Sequence, residues 1–195
     1  MNALLLALAV AASAAVDTGK PAPDFSLPAQ DGKSVKLSAQ KGNWVVLEWY
    51  NAGCPFVRKH YDSKNMQGLQ KTYTEKGVKW FTVVSSKPGK QGHLTAAEAQ
   101  ETLKSEGMSS TAILLDPKGD VGRKYGAKTT PHMYIIDPKG TLVFMGGIDD
   151  RPSADQADIA GARNHVAAAL DEGMATPPKK ISVPTTKPYG CSIKY

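Results

Sequence analysis

Apolar and polar positions along this chain follow two rhythms, one of strands and one of helices. Val45 to Tyr50 is a run of β-formers broken by one charge, Glu48, and long enough for a buried strand. Asn51-Ala52-Gly53 interrupts it, and Pro55 suits the first position of a helix capped by Cys54. Met66, Leu69 and Tyr73 recur at helical spacing, and Val78 to Ser85 returns to alternation with a strongly apolar end. Thr95-Ala96-Ala97-Glu98 has capping-box spacing and predicts a helix to about Glu106. Ala112 to Leu115 predicts a strand closed by Asp116-Pro117-Lys118-Gly119, after which Asp120 is expected to cap a short helix through Tyr125. Met133 to Ile136 and Thr141 to Met145 flank Asp137-Pro138-Lys139-Gly140, an antiparallel hairpin. Ser153 is expected to cap a last helix whose Ile159, Ala162, Val166 and Leu170 share a face before Gly173 ends it. Upstream, Asp31-Gly32 predicts a turn between two short strands.

Strands alternating with helices and closed by a hairpin and a helix predict an α/β fold, a central mixed sheet flanked by helices. At 195 residues and 41% hydrophobic content the chain supports one core and one domain, placed at residues 20–172. Residues 173–195 form a tail rich in Pro, Lys and Thr without periodicity. It ends in Tyr189-Gly190-Cys191-Ser192-Ile193-Lys194-Tyr195, an apolar and aromatic cluster expected to dock back on the domain. At the other end, residues 1–16 read as a secretory signal peptide. The apolar stretch is too short to span a bilayer, ends in small residues, and places no cysteine at the cleavage point for a lipid anchor. Export to an oxidising compartment such as a bacterial periplasm would allow the two cysteines to pair.

Net charge is +6, but lysines and arginines are interspersed with acids and form no basic stripe. This argues against nucleic-acid binding and for an ordinary solvated surface. No integral membrane anchor is indicated. The sequence gives no oligomeric state.

Candidate chemistry gathers at Cys54. An N-cap thiol faces unpaired backbone N–H groups and the positive helix end. Lowering a thiol pKa from about 8.5 to about 7 takes roughly 2 kcal/mol. A helix end supplies about 0.3–1 kcal/mol, so a nearby cation is needed, for which Arg58 and Lys59 are the candidates. The reading requires the Cys54 sulfur to be ionised and reachable at its turn. An inert buried cysteine is the alternative.

The strand ending Trp49-Tyr50-Asn51-Ala52-Gly53-Cys54, with Thr129-Thr130-Pro131-His132-Met133-Tyr134-Ile135-Ile136-Asp137 about 75 residues on, resembles the thioredoxin superfamily. Pro21-Ala22-Pro23-Asp24-Phe25 and Gly146-Gly147-Ile148-Asp149-Asp150 are similar to its peroxiredoxin-like (AhpC/TSA, redoxin-domain) branch. The resemblance implies a thioredoxin-like fold, with Pro131 as a cis-proline packed against the reactive cysteine. Thr130 would then present its backbone as a small edge for an extended partner, with Gly53 and Pro55 completing the binding surface. Glu48 matches the buried acid that moves a proton, and its burial would raise its pKa; a structural salt bridge to a lysine is the other reading.

The departures from the pattern are as informative. Val57 replaces the second cysteine of Cys-x-x-Cys, so the short disulfide of thioredoxins cannot form. Leu47 and Asn51 stand where a peroxiredoxin carries Pro and Thr or Ser, and Val57 stands at the peroxidatic place. The resemblance therefore implies a thiol–disulfide oxidoreductase in which Cys54 is the nucleophile, Cys191 the resolving thiol, and the partner a protein or small-molecule thiol or disulfide. A thiol peroxidase passing Cys54 through sulfenic acid is the rival. A redox-inert or copper-binding module is a third reading, with His132 as its metal candidate. For Cys191 itself, a cycling disulfide, a permanent staple worth about 5 kcal/mol and a free thiol all remain open. No cofactor is implied. His60 and Tyr61 read as packing groups.

Overall fold

The computed structural model describes residues 16–195, so the leader falls almost wholly outside the described residues. The strands are β1 (Ser26–Pro28), β2 (Ser34–Lys36), β3 (Val45–Trp49), β4 (Lys79–Val84), β5 (Ala112–Leu115), β6 (Thr129–Thr130), β7 (His132–Ile136), β8 (Leu142–Gly146) and β9 (Cys191–Ser192). The helices are α1 (Pro55–Asp62), α2 (Asn65–Glu75), α3 (Ala96–Ser105), α4 (Asp120–Lys124) and α5 (His165–Gly173). Among the described residues the main sheet has the order β5-β4-β3-β7-β8. β3 runs parallel to β4 and antiparallel to β7, which makes the sheet mixed.

β3 is central and buried on both faces, which accounts for its unbroken apolar run. Its alternate residues serve two cores. Val46 and Tyr50 pack under α1, α2 and α5 with Cys54, while Val45, Leu47 and Trp49 pack on the opposite side with α4 and the β1–β2 hairpin. The α3 capping box is present, Thr95 accepting from Glu98 N while the Glu98 carboxylate accepts from Thr95 N.

Two expected caps fall elsewhere. α4 is capped by Gly119 in the left-handed region, and the carboxylate serving its first N–H groups is Asp116, which accepts from Val121 N and Gly122 N. The last helix is shorter than the periodicity suggests. Ser153 binds the Asp158 side chain, residues 156–161 form a 3₁₀ turn capped by Asp155, and α5 begins only after Asn164, whose side chain caps Ala167 N. Ile159 and Ala162 therefore do not share a helix with Val166 and Leu170. No described helix is long and apolar enough to cross a membrane.

Candidate active site

The Asn51-Ala52-Gly53 turn between β3 and α1 is stiffened by its own side chain, Gly53 N donating to Asn51 Oδ1 at 2.9 Å. Gln91 clamps it from outside through Nε2 to Gly53 O at 3.2 Å. A Cβ on Gly53 would collide with that glutamine. Pro55 occupies the first turn of α1, and Cys54 is its N-cap with extended backbone. The Thr130–Pro131 bond is cis, and Cys54 Sγ donates to the carbonyl of Thr130 at 3.0 Å. Cys54, Thr130, Pro131, Gly53 and Pro55 therefore meet at one end of the sheet.

The edge that Thr130 was expected to offer to a partner is already filled. β9 pairs with β6 antiparallel, with Thr130 opposite Cys191 and Thr129 opposite Ser192. Cys54 is consequently 0% exposed, whereas Cys191 remains half-buried. The expectation that Cys54 would be reachable at its turn is corrected by the tail that lies over it. Both cysteines are thiols in this structure.

The electrostatics of the two sulfurs diverge. Burial pushes the Cys54 thiol up, but hydrogen bonding, chiefly from Cys191, outweighs it and brings the pKa below its ordinary value. The buried Thr130 hydroxyl has no hydrogen-bond partner among the described residues. Burial and the hydrogen bond to Cys54 push Cys191 up to about 11. Of the two, Cys54 is therefore the sulfur that gives up its proton first, and Cys191 the one that keeps it.

Arg58 does not supply the cation expected for Cys54. Its guanidinium is taken by Asp62 on the same helix and by Glu106 beyond α3, and it takes no part in lowering the thiol. Lys59 is buried and paired with Asp149 at 3.2 Å. Hydrogen bonding from Cys191 on the tail does the work assigned to a cation.

Glu48 is fully buried with its pKa raised by desolvation, against hydrogen bonds that pull it down. Its carboxylate accepts from Tyr61 Oη at 2.7 Å, Trp80 Nε1 at 2.8 Å, Gln70 Nε2 at 3.0 Å and Thr82 Oγ1 at 3.4 Å. No lysine pairs with it and no hydrogen bond joins it to Cys54 among the described residues. It ties α1, α2 and β4 to β3 directly behind the site. His132 lies on the opposite face of the sheet, tilted against Tyr134 with ring centroids 4.5 Å apart, while its neighbour Met133 shares the core of Cys54. The His132 ring is thus turned away from the two sulfurs.

The tail is fastened on both sides of Cys191. Before it, Tyr189 Oη donates to Asp149 and meets His60 Nε2 at 3.2 Å, and its ring packs edge-on against Phe56. After it, Ile193 is buried and donates its N–H to Lys128 O at 3.1 Å, Lys194 O accepts from Lys87 N, and Tyr195 Oη donates to Ala127 O at 2.8 Å. Each such bond is worth about 0.5–1.5 kcal/mol net, so unseating the tail costs several kcal/mol. Between the anchors Gly190 adopts φ 140°, and a Cβ there would lie 2.1 Å from Thr130 O. Gly190 and Tyr189 are site residues that sequence reasoning did not single out; their one signal was the aromatic–glycine pair immediately before Cys191. A cavity of about 620 Å³ lies around Trp44, Val143 and Pro184 at the far end of β3 and shares no residue with this site.

The AhpC/TSA family model matches residues 18–145, from before β1 to within β8, which is most of the described domain. The chain belongs to the AhpC/TSA family. Among curated relatives, the thioredoxin-like protein YneN of Bacillus subtilis is 30% identical over 151 residues, 74% of this chain and 81% of YneN. Peroxiredoxin tpx1 of Schizosaccharomyces pombe is 28% identical over 73% of this chain and 77% of its own. The thiol-disulfide oxidoreductase ResA of Bacillus subtilis is 26% identical over 66% of each. A conserved protein of Geobacillus kaustophilus superposes with TM-score 0.75 at 27% identity, covering 93% of this chain and 94% of that one. The fold is thioredoxin-like, and its family joins thiol-disulfide oxidoreductases and peroxiredoxins.

Proposed function

We propose that this protein is a thiol–disulfide oxidoreductase whose redox pair is Cys54 and Cys191. The observation that carries the reading is the β6–β9 pairing, which sets Cys191 opposite Thr130 while Thr130 O holds the Cys54 sulfur. Cys54, the more acidic sulfur, is the nucleophile, and Cys191 is the thiol that answers it. When the Cys191 sulfur is bonded to a partner's sulfur, the Cys54 thiolate attacks it. The Cys54–Cys191 bond forms and the partner leaves as thiolate.

Thr130 orients the Cys54 thiol through its carbonyl, and Pro131 fixes the turn that presents it. Gly53 and Pro55 hold Cys54 at the helix start. Arg58 and Glu48 act at one remove, tying α1 to α3 and to the sheet, and no cofactor is invoked. An exported enzyme suits this chemistry, since the residue 1–16 leader would deliver it to a compartment where disulfides persist.

The test is equilibration of the protein with glutathione buffers followed by free-thiol counting. The expected result is two thiols that disappear and return together, at a potential above that of a structural disulfide, and that do so in neither Cys54→Ser nor Cys191→Ser. Stoichiometric loss of hydrogen peroxide in a single turnover would instead favour the peroxidase reading. Two thiols that never pair would end the proposal.

A further inference from the structure

We infer that the mixed disulfide with a partner forms on Cys191 and not on Cys54, reversing the usual assignment of the helix-capping cysteine as the one that meets the partner. This rests on the proposed redox pair and concerns which of its two sulfurs faces outward.

Access is the first argument. Cys54 is fully covered, below by the core around Val57 and Tyr61 and above by Thr130 and β9. The covering strand is anchored on both sides, by Tyr189 on Asp149 and by Ile193 and Tyr195 on the loop before β6. Cys191 is half-buried and its neighbour Ser192 is exposed. A groove of about 450 Å³ runs up to its neighbour Gly190, with Thr129, Asp150, His165, Lys187 and Tyr189 in its walls. Cys191 packs against the Cys54 core but, being only partly buried, is the sulfur a partner reaches with the smaller disturbance of the tail.

Leaving-group chemistry is the second. In the disulfide form, a partner thiolate attacks the Cys191 sulfur, the Cys54–Cys191 bond breaks, and the electron pair leaves on Cys54. That sulfur sits at the N-cap of α1 beside the Cys191 backbone N–H and is the more acidic of the two, and the better-stabilised thiolate leaves faster. The partner's second thiolate then attacks its own sulfur in the mixed disulfide. The partner's disulfide forms, and Cys191 leaves as thiolate and takes up a proton. Two electrons have passed from a partner dithiol to the Cys54–Cys191 pair. Run backwards, the same steps reduce a partner disulfide, again through a bond to Cys191. The partner class is a dithiol or disulfide able to reach a half-exposed strand, such as an extended protein segment.

The test uses full-length Cys54→Ser and Cys191→Ser proteins with oxidised glutathione at mildly alkaline pH, the adducted residue being mapped by mass spectrometry. Near-UV circular dichroism checks that each variant keeps its tertiary structure. The expected result is glutathionylation of Cys191 in Cys54→Ser at least tenfold faster than of Cys54 in Cys191→Ser, the difference vanishing in denaturant. Equal rates, faster adduction of Cys54, or adduction of neither would overturn the inference. In any of these cases a wild-type protein that still closes its intramolecular disulfide would leave the redox pair standing. Failure of the wild type to close it would remove the pair itself.

Discussion

Thr130 and Cys191 face each other across a two-residue antiparallel pair, and Thr130 is the same residue whose carbonyl receives the Cys54 thiol. One residue of β6 thus positions both sulfurs, one through its strand register and one through a hydrogen bond. The tail occupies the short strand edge that Thr130 would otherwise present, which makes the chain its own ligand at that edge.

Gly190 sets how near Cys191 can come. Its φ of 140° and the 2.1 Å gap between a built Cβ and Thr130 O leave no room for a side chain. Gly190→Ala is expected to cost about 1–3 kcal/mol of strain, relieved by lifting β9 away from β6. Oxidation by glutathione should then close the Cys54–Cys191 bond at least tenfold more slowly, and Cys54 should become open to alkylation in the reduced protein. Unchanged closure would show that Cys191 reaches Cys54 by another path.

The two sulfurs should titrate apart. Ultraviolet thiolate absorbance is expected to show one group ionising below the ordinary 9.0 and one near 11. Cys191→Ala removes the side-chain donor to Cys54 and should raise its pKa. Cys54→Ser removes the charge beside Cys191, which should fall back towards 9.0. Arg58→Ala should move neither sulfur, because that guanidinium is spent on Asp62 and Glu106.

Glu48 has a role in stability that pH exposes. Burial lifts its pKa above the ordinary 4.5, so the folded protein keeps a proton that the unfolded chain gives up. Its contribution is therefore full below about 4.5 and is lost as pH rises through the raised value. Glu48→Gln brings an amide to meet at least one of the donors Tyr61, Gln70, Trp80 and Thr82, and is expected to cost about 1–3 kcal/mol. Urea melts should show that deficit shrinking as pH rises from 4.5, with the potential of the cysteine pair unchanged. A shifted pH–rate profile for disulfide exchange would instead mark Glu48 as moving a proton during exchange.

What the sequence disclosed was governed by local signals. The apolar strand, the Asn51–Gly53 break, Cys54 as N-cap and Pro55 in the first turn all lie within a dozen residues, and the structure has each of them. The Thr130–Pro131 cis bond was legible through family resemblance alone. What escaped were long-range choices. Arg58 had a partner in reach at Asp62, but Glu106 lies 48 residues away. β9 is only two residues long and follows a spacer with no periodicity, so nothing local announced its pairing with β6. The three- and four-residue spacing through Ile159, Ala162, Val166 and Leu170 was real. Asn164 nevertheless caps a new helix there and divides the run.

Tyr189 is the clearest place to ask how firmly the tail is held. Asn65 Nδ2 donates to His60 Nδ1 at 2.8 Å, so the His60 proton resides on Nε2 and points at Tyr189 Oη. Tyr189 in turn donates to Asp149, which also pairs with the buried Lys59. Burial holds His60 down to about 4, so at neutral pH it stays an uncharged donor and the chain of bonds runs in one direction. Tyr189→Phe keeps the ring on Phe56 but strands the His60 N–H and takes one of two donors from Asp149 Oδ1, which still accepts from Arg151 N, at a cost of about 1–3 kcal/mol. If that cost falls on the docked tail, the opened fraction rises about tenfold for every 1.4 kcal/mol. Alkylation of Cys54 in the reduced protein should then accelerate by one to two orders of magnitude, roughly, while global stability in urea falls by the same 1–3 kcal/mol or less. Tyr195→Phe, which loses the bond to Ala127 O on the other side of Cys191, should act in the same direction. If neither variant hastens alkylation, Cys54 is reached by a route that does not pass under the tail.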